Sequence, residues 1–146
     1  MDIKVEGLNN LRNAFEQYAR DNKAGLLNIV ASASTSIESK ARQNAPRDLG
    51  KLKSQINHVV IEKKDKIEGR IRSDASYSLF VEEKTKPHWT SQKNLIGWAR
   101  RKGIPVRLVQ KSIAEKGTQA QPFMAPAAKA IFPKTIREVA IELRKT

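Results

Sequence analysis

The side chains best suited to chemistry in this 146-residue chain are two histidines, His58 and His88, and two adjacent glutamates, Glu82 and Glu83. Neither histidine has a second histidine or a carboxylate at the short spacing of a zinc site, so local sequence predicts no metal centre. Metal-assisted phosphodiester hydrolysis wants a cluster of carboxylates, and Glu82 and Glu83, read on a strand, would point to opposite faces and could not share an ion. Ser32, Ser34, Ser36 and Ser39 fall in a helical pattern without the sharp turn that exposes a hydrolase nucleophile, and they read as packing residues. Gly69, Gly103 and Gly117 are isolated, so they form no phosphate-cradling loop. The absence of cysteine excludes thiolate chemistry and a disulfide framework. No catalytic, metal or cofactor-binding residue is expected.

Charge is the more informative property. The net charge is +13, yet residues 1–83 hold 14 Lys and Arg against 12 Asp and Glu. Residues 84–134 hold 11 basic residues against one acid, Glu115. A patch of one sign repels itself, so it points to an anionic partner, either nucleic acid or an acidic protein surface; the plainer alternative is a solvated basic face. The candidate docking or DNA-facing residues are Lys84, Lys86, Arg100, Arg101, Lys102, Arg107 and Lys111. Trp89 and Trp98 lie among them and could stack on bases. Trp98 shares an apolar stripe with Leu95, so burial is the stronger reading for it, whereas Trp89 is open to either role. Arg100, Arg101 and Lys102 also suit the negative end of a helix dipole.

The elements that must position these residues follow from periodicity. Ile3-Lys4-Val5 suggests a short strand and Gly7 a break, before a helix with Leu8, Leu11, Phe15 and Tyr18 on one face. A second helix is predicted from about Asp21 to Asn44, with Asp21 or Asn22 as its cap and Leu26, Val30, Ala33, Ile37 and Ala41 as its stripe. Pro46 ends it, Pro46 to Gly50 turns, and Leu52 and Ile56 suit one more helical turn. Val59 to Ile61 and Ile67 to Ile71 read as a hairpin around residues 63–66. Tyr77 to Val81 reads as a third strand that leaves Phe80 needing cover from another layer or a partner. Residues 90–117 read as a helical hairpin, capped by Ser91, broken at Gly103-Ile104-Pro105 and stopped by Gly117. Gln121 to Met124 should be extended, and helical spacing over Ala125 to Ile131 and Ile136 to Leu143 is interrupted or restarted by Pro133.

These elements predict one α+β domain over residues 1–146: an antiparallel sheet of about three to four strands packed against a long helix, with a helical-hairpin insertion and a C-terminal helix. No run approaches the roughly 20 apolar residues of a membrane span, and Met1 to Glu6 lacks an apolar signal core, so a soluble, cytoplasmic chain with no membrane partner is expected.

Four segments, in order, resemble the tailed-bacteriophage head–tail joining, or tail-completion, family. Ile3 to Leu11 is similar to its opening strand, glycine and first helix, and Ala41 to Ile56 to its helix end, proline turn and Gly-x-Leu start. Tyr77 to Thr85 resembles its tyrosine strand running into a Glu-x-Gly-Thr element, with Lys84 in place of the glycine, and Gly117 to Ala127 its closing signature. On this resemblance Pro46, Asp48, Gly50, Leu52, Tyr77, Glu82, Thr85, Gly117, Thr118, Pro122, Phe123 and Pro126 are the structural motif residues.

The resemblance implies a virion protein without cofactor or catalysis. It would stand between a head connector or stopper and a tail-tube or tail-terminator protein, and close a ring, commonly six-fold, around the DNA path. It implies assembly in the host bacterial cytoplasm and a final place in the virion neck or tail. Because clustered charge resists ring closure, a monomer is expected in solution until neighbours supply acids. Two readings compete with it: a stand-alone basic nucleic-acid-binding module, and an enzyme on nucleic acid, which would need acids brought together by folding.

Overall fold

The computed structural model describes residues 8–64 and 66–145. The proposed strand at Ile3 to Val5 and the break at Gly7 lie outside these residues, as do the side chains of Leu8, Leu11, Phe15 and Tyr18. In chain order the elements are α1 (Leu8–Asn44), α2 (Lys51–Ser54), β1 (Ile56–Glu62), β2 (Ile67–Ser73), α3 (Ser78–Glu82), α4 (Gln92–Lys102), α5 (Val106–Lys116) and α6 (Met124–Glu142).

Helix α1 runs unbroken for 37 residues, about 55 Å, where two helices were expected. Asp21 and Asn22 favour caps but do not stop a helix whose apolar spacing continues beyond them and whose flank packs on α6. Its end is as predicted: Ala45, held out of the helical region by Pro46, still donates to Ala41 O at 2.9 Å before the chain turns.

Among the described residues the sheet has two strands, β1 and β2, paired antiparallel from Ile56 opposite Ser73 to Glu62 opposite Ile67. The expected third strand at Tyr77 to Val81 is the short helix α3 instead. Five residues of mixed apolar character do not separate one helical turn from a strand, and here the turn sends Val81 to the core and Glu82 towards α6.

Helix α1 lies across the sheet and approaches it tightly at Gly69. A Cβ there would stand 2.2 Å from Ser34 Oγ and 3.2 Å from Val30 Cγ1. Ser34 is buried, with its hydroxyl donating to Val30 O at 2.8 Å, whereas Ser32 and Ser39 are exposed. Small residues on both surfaces therefore set the helix-to-sheet distance. The core gathers Ile37, Ala41 and Ala45 of α1 and its end, Leu52, Ile56, Ala75, Phe123 and Ala127, with Ile71, Val81 and Ile131 against them. Helix α6 is one helix through Pro133, although proline forfeits a backbone hydrogen bond there. Packing against α1 and the core holds its two halves in line.

Gly69→Val should lower stability by about 1 to 3 kcal/mol through overpacking against Ser34 and Val30. Gly69→Ala should be tolerated better when combined with Ser34→Ala than alone, because the double variant removes the closest atom. Urea midpoints of the four proteins in that cycle measure this coupling; strictly additive effects would contradict the packing assigned here.

Candidate docking surface

The two ends of the motif region are fastened together by one carboxylate. Glu82, the last residue of α3, accepts backbone N–H bonds from Phe123 and Met124 through Oε2 at 2.8 and 2.9 Å, and from Ala125 through Oε1 at 2.8 Å. These are donors that the start of helix α6 leaves without an intrahelical partner, so an acid from elsewhere in the chain caps the helix. Burial pushes the Glu82 carboxyl up, but the N–H groups of Met124, Ala125 and Phe123 outweigh it and hold it below the ordinary glutamate value. Phe123 is almost fully buried, and its carbonyl accepts from Asn44 Nδ2 at 3.3 Å. Pro126 sits in the first turn of α6, where a missing N–H costs little, and Pro122 is exposed just before it.

A second clamp lies beside the first. Thr85 N donates to Thr118 O at 3.2 Å, Thr118 N donates to Thr85 Oγ1 at 2.9 Å, and the two hydroxyls are 2.9 Å apart. Gln121 N donates to Val81 O at 2.8 Å. Gly117 has a φ of +73°, and a Cβ there would stand 2.0 Å from Thr85 O, so both conformation and space require glycine. No other residue type fits between Thr85 and the end of α5. Lys84, where the resemblance would place a glycine, adopts no positive φ, and no described non-glycine residue does.

Helices α4 and α5 form the expected hairpin. Ser91 Oγ accepts from Lys93 N at 3.3 Å, Gly103 ends α4, and Gly117 caps α5. Buried Gln110 joins the hairpin internally, accepting from Gln92 Nε2 at 3.0 Å and donating to Thr90 O at 2.8 Å. The hairpin is tied to the Pro46 turn by Arg101, whose Nε and Nη2 donate to Asp48 Oδ1 and Oδ2 at 2.8 and 2.5 Å. The Arg101 hydrogen bond holds the Asp48 carboxyl low, against a partial desolvation that opposes it.

Between the Pro46 turn, α3 and the hairpin runs an open groove of about 800 Å³. Pro46, Asp48, Gly50, Leu52, Tyr77, Thr85 and Thr118 of the motif residues line it, beside Leu49, Phe80, Leu95, Trp98 and Ile113. Trp98 is 38% exposed on the groove wall, which corrects its expected burial; Ala99 is the residue of α4 that goes inside. Phe80 is 60% exposed, so the cover expected for it is not supplied by the described chain.

The seven candidate cations occupy different places. Lys86 lines the groove and Arg101 is engaged with Asp48, while Arg107 and Lys111 flank exposed Trp89 in a second, smaller hollow, where Lys111 lies 3.8 Å from Glu115. Lys84, Arg100 and Lys102 are exposed. His58, for which local sequence offers no metal-site partner, hydrogen-bonds Glu38, and Arg42 Nη2 also holds Glu38 at 2.6 Å while donating to Ile56 O. That trio fastens α1 to β1. A guanidinium against the carboxylate makes it a poor cation site. Among the described residues no group of three or more His, Cys, Asp or Glu could hold a metal ion, and no helix is long and apolar enough to cross a membrane.

Because Glu82 and Asp48 are depressed on folding, and Glu68 is lowered to about 2 by hydrogen bonds from Arg70 and Lys66, their stabilisation is complete above the unfolded carboxylate values, about 3.9 to 4.3, and is lost as pH falls through the folded ones. Urea unfolding across pH should therefore show a plateau above about pH 5 and a decline below it. Glu82→Gln, which keeps the shape but loses the charge, should lower the plateau by about 1 to 2 kcal/mol and flatten the acid decline. An unchanged plateau would mean that the helix cap contributes nothing.

A search of curated proteins and a search of solved structures return no match. Residues 9–83 match the family model HK97-gp10_like, described as "Bacteriophage HK97-gp10, putative tail-component". The match covers half of the chain, from α1 to the end of α3, and the chain belongs to this bacteriophage tail-component family.

Proposed function

We propose that this chain is a non-enzymatic tail-completion protein that joins the head connector or stopper to the tail tube or its terminator. In this reading its copies close a ring, six-fold by analogy with the family it resembles, around the path of the DNA. The observation that carries the reading is how family and charge divide the chain. The family match covers residues 9–83, where the charge is nearly balanced, while the basic surplus begins at Lys84 and runs through the α4–α5 hairpin. A shared frame thus presents a projecting basic element that is built to meet something anionic. The motif residues Glu82, Thr85, Gly117, Thr118 and Phe123 act where the hairpin joins this frame, by fixing its root. Lys84, Lys86, Arg100, Lys102, Arg107 and Lys111 act at its surface, and Arg101 serves both by holding Asp48. The protein would be made in the host bacterial cytoplasm and end in the virion neck.

One feature favours a second reading, a stand-alone nucleic-acid-binding module. Trp89 is 74% exposed and shares its hollow with Arg107 and Lys111, which suits base stacking beside phosphate contacts.

Removing the gene from an inducible phage separates the readings. A joining protein predicts filled heads and free tails in the lysate by electron microscopy, with joined particles restored by the full chain supplied in trans. Normal joined particles would overturn the proposal. Duplex or single-stranded DNA bound by the monomer with a steep salt slope, in a phage that joins normally, would select the module instead.

A further inference from the structure

The groove has an apolar lining and a basic rim. Leu49 and Phe80 are 72% and 60% exposed and Trp98 is 38% exposed, all on its walls. Large side chains gathered on one concave surface mark a site that something else covers. Asp48 is the one acidic residue of the lining, and Arg101 already neutralises it. Lys51 and Lys86, also on the lining, make no ion pair among the described residues. Two free cations around an apolar surface fit a few carboxylates spaced by apolar side chains. They fit nucleic acid poorly, since a polyanion brings a phosphate at every step and needs cations along its whole track.

A second copy of this chain is an equally poor occupant. Among the described side chains, Glu38, Glu62, Glu68, Asp74, Glu115, Glu138 and Glu142 are each ion-paired within the chain, Asp48 is held by Arg101 and Glu82 is the cap of α6. That leaves Asp21, which accepts from Gln17, and Glu83, on separate elements, so a copy offers no run of carboxylates spaced by apolar side chains. The net charge of +13 also makes two copies repel each other.

We propose that the groove receives a short acidic and apolar segment of a neighbouring virion protein, whose apolar side chains cover Leu49, Phe80 and Trp98 while its carboxylates meet Lys51 and Lys86. This rests on the joining function and names the chemistry of one partner. A volume near 800 Å³ is within the range of sites that enclose several side chains or a drug-sized ligand. Docking there would also press the hairpin onto the Pro46 turn, across the bond that Arg101 makes with Asp48.

The chain has two tryptophans, and Trp89 does not line the groove, so the full-length Trp89→Phe protein reports on Trp98 alone. The probe is a synthetic peptide of about ten residues alternating glutamate with leucine, beside one with glutamine for glutamate and one with serine for leucine. The proposal predicts a saturable blue shift of Trp98 emission with the first peptide, about tenfold or more weaker binding of each of the others, and a similar loss when Leu49→Glu or Lys86→Glu is added. Both substituted positions are exposed, so an unchanged urea midpoint shows that the fold is kept. Trp98 emission that the acidic peptide leaves unmoved would overturn it. So would an equal shift produced by duplex DNA or by raising the concentration of the protein itself. If heads and tails stay apart without the gene while Trp98 fails to respond, the groove assignment falls and the joining function stands. If joined particles form without the gene, it is the joining function that falls, whatever the peptide does.

Discussion

Everything distinctive about this surface depends on Glu82. Its carboxylate is the N-terminal cap of a helix that begins 42 residues later, and it sits at the boundary between the matched frame and the basic half of the chain. Without that bond the start of α6 would present three unpaired N–H groups, and the segment that leaves α3 would be held to the segment that leaves α5 only by the Thr85–Thr118 clamp and the Gln121 N–Val81 O bond. The Thr85 and Thr118 clamp and the close passage at Gly117 repeat the connection a few residues further out. Together they make a two-point root for the α4–α5 hairpin. Arg101 and Asp48 supply a third tie at its far end, exposed and therefore weaker and more sensitive to salt.

This arrangement divides the labour within a small protein. The buried core belongs to α1, the two-stranded sheet and α6, and is built from small residues that let helix and sheet approach closely. The hairpin contributes almost nothing to that core: Ala99 and Gln110 are its only buried residues, and its large apolar side chains face the groove or solvent. An element that is fixed at its root, basic on its surface and apolar on one open side is suited to binding. Its own folding energy does not explain it.

Much of this was legible in the sequence, and what was not has physical causes. Strong punctuation was readable: Pro46, Ser91, Gly103 and Gly117 each mark the predicted boundary, because proline, a capping hydroxyl and glycine act locally. The segment Tyr77 to Val81 was misread because a single turn of apolar residues has no decisive period, and the fate of Glu82 is decided by α6, far away in sequence. The same applies to Glu38 with His58, and to Asp48 with Arg101, 53 residues apart. Such pairs exist only after folding. Trp98 was expected inside because its stripe is apolar, but an apolar stripe also describes the wall of an open groove. The unmet need of Phe80 for cover was the one sequence signal that pointed at this groove.

In the joining reading, the tail-component frame holds a basic hairpin and its neighbouring groove against other virion proteins. A cryo-electron-microscopy reconstruction of the assembled neck tests it most directly. Copies of this chain are then expected in a closed ring between head and tail, with Arg107 and Lys111 facing an acidic protein surface or the DNA, and density of a foreign segment over Leu49 and Phe80. A neck without this chain, or a ring in which the α4–α5 hairpin projects into solvent and touches nothing, would contradict it.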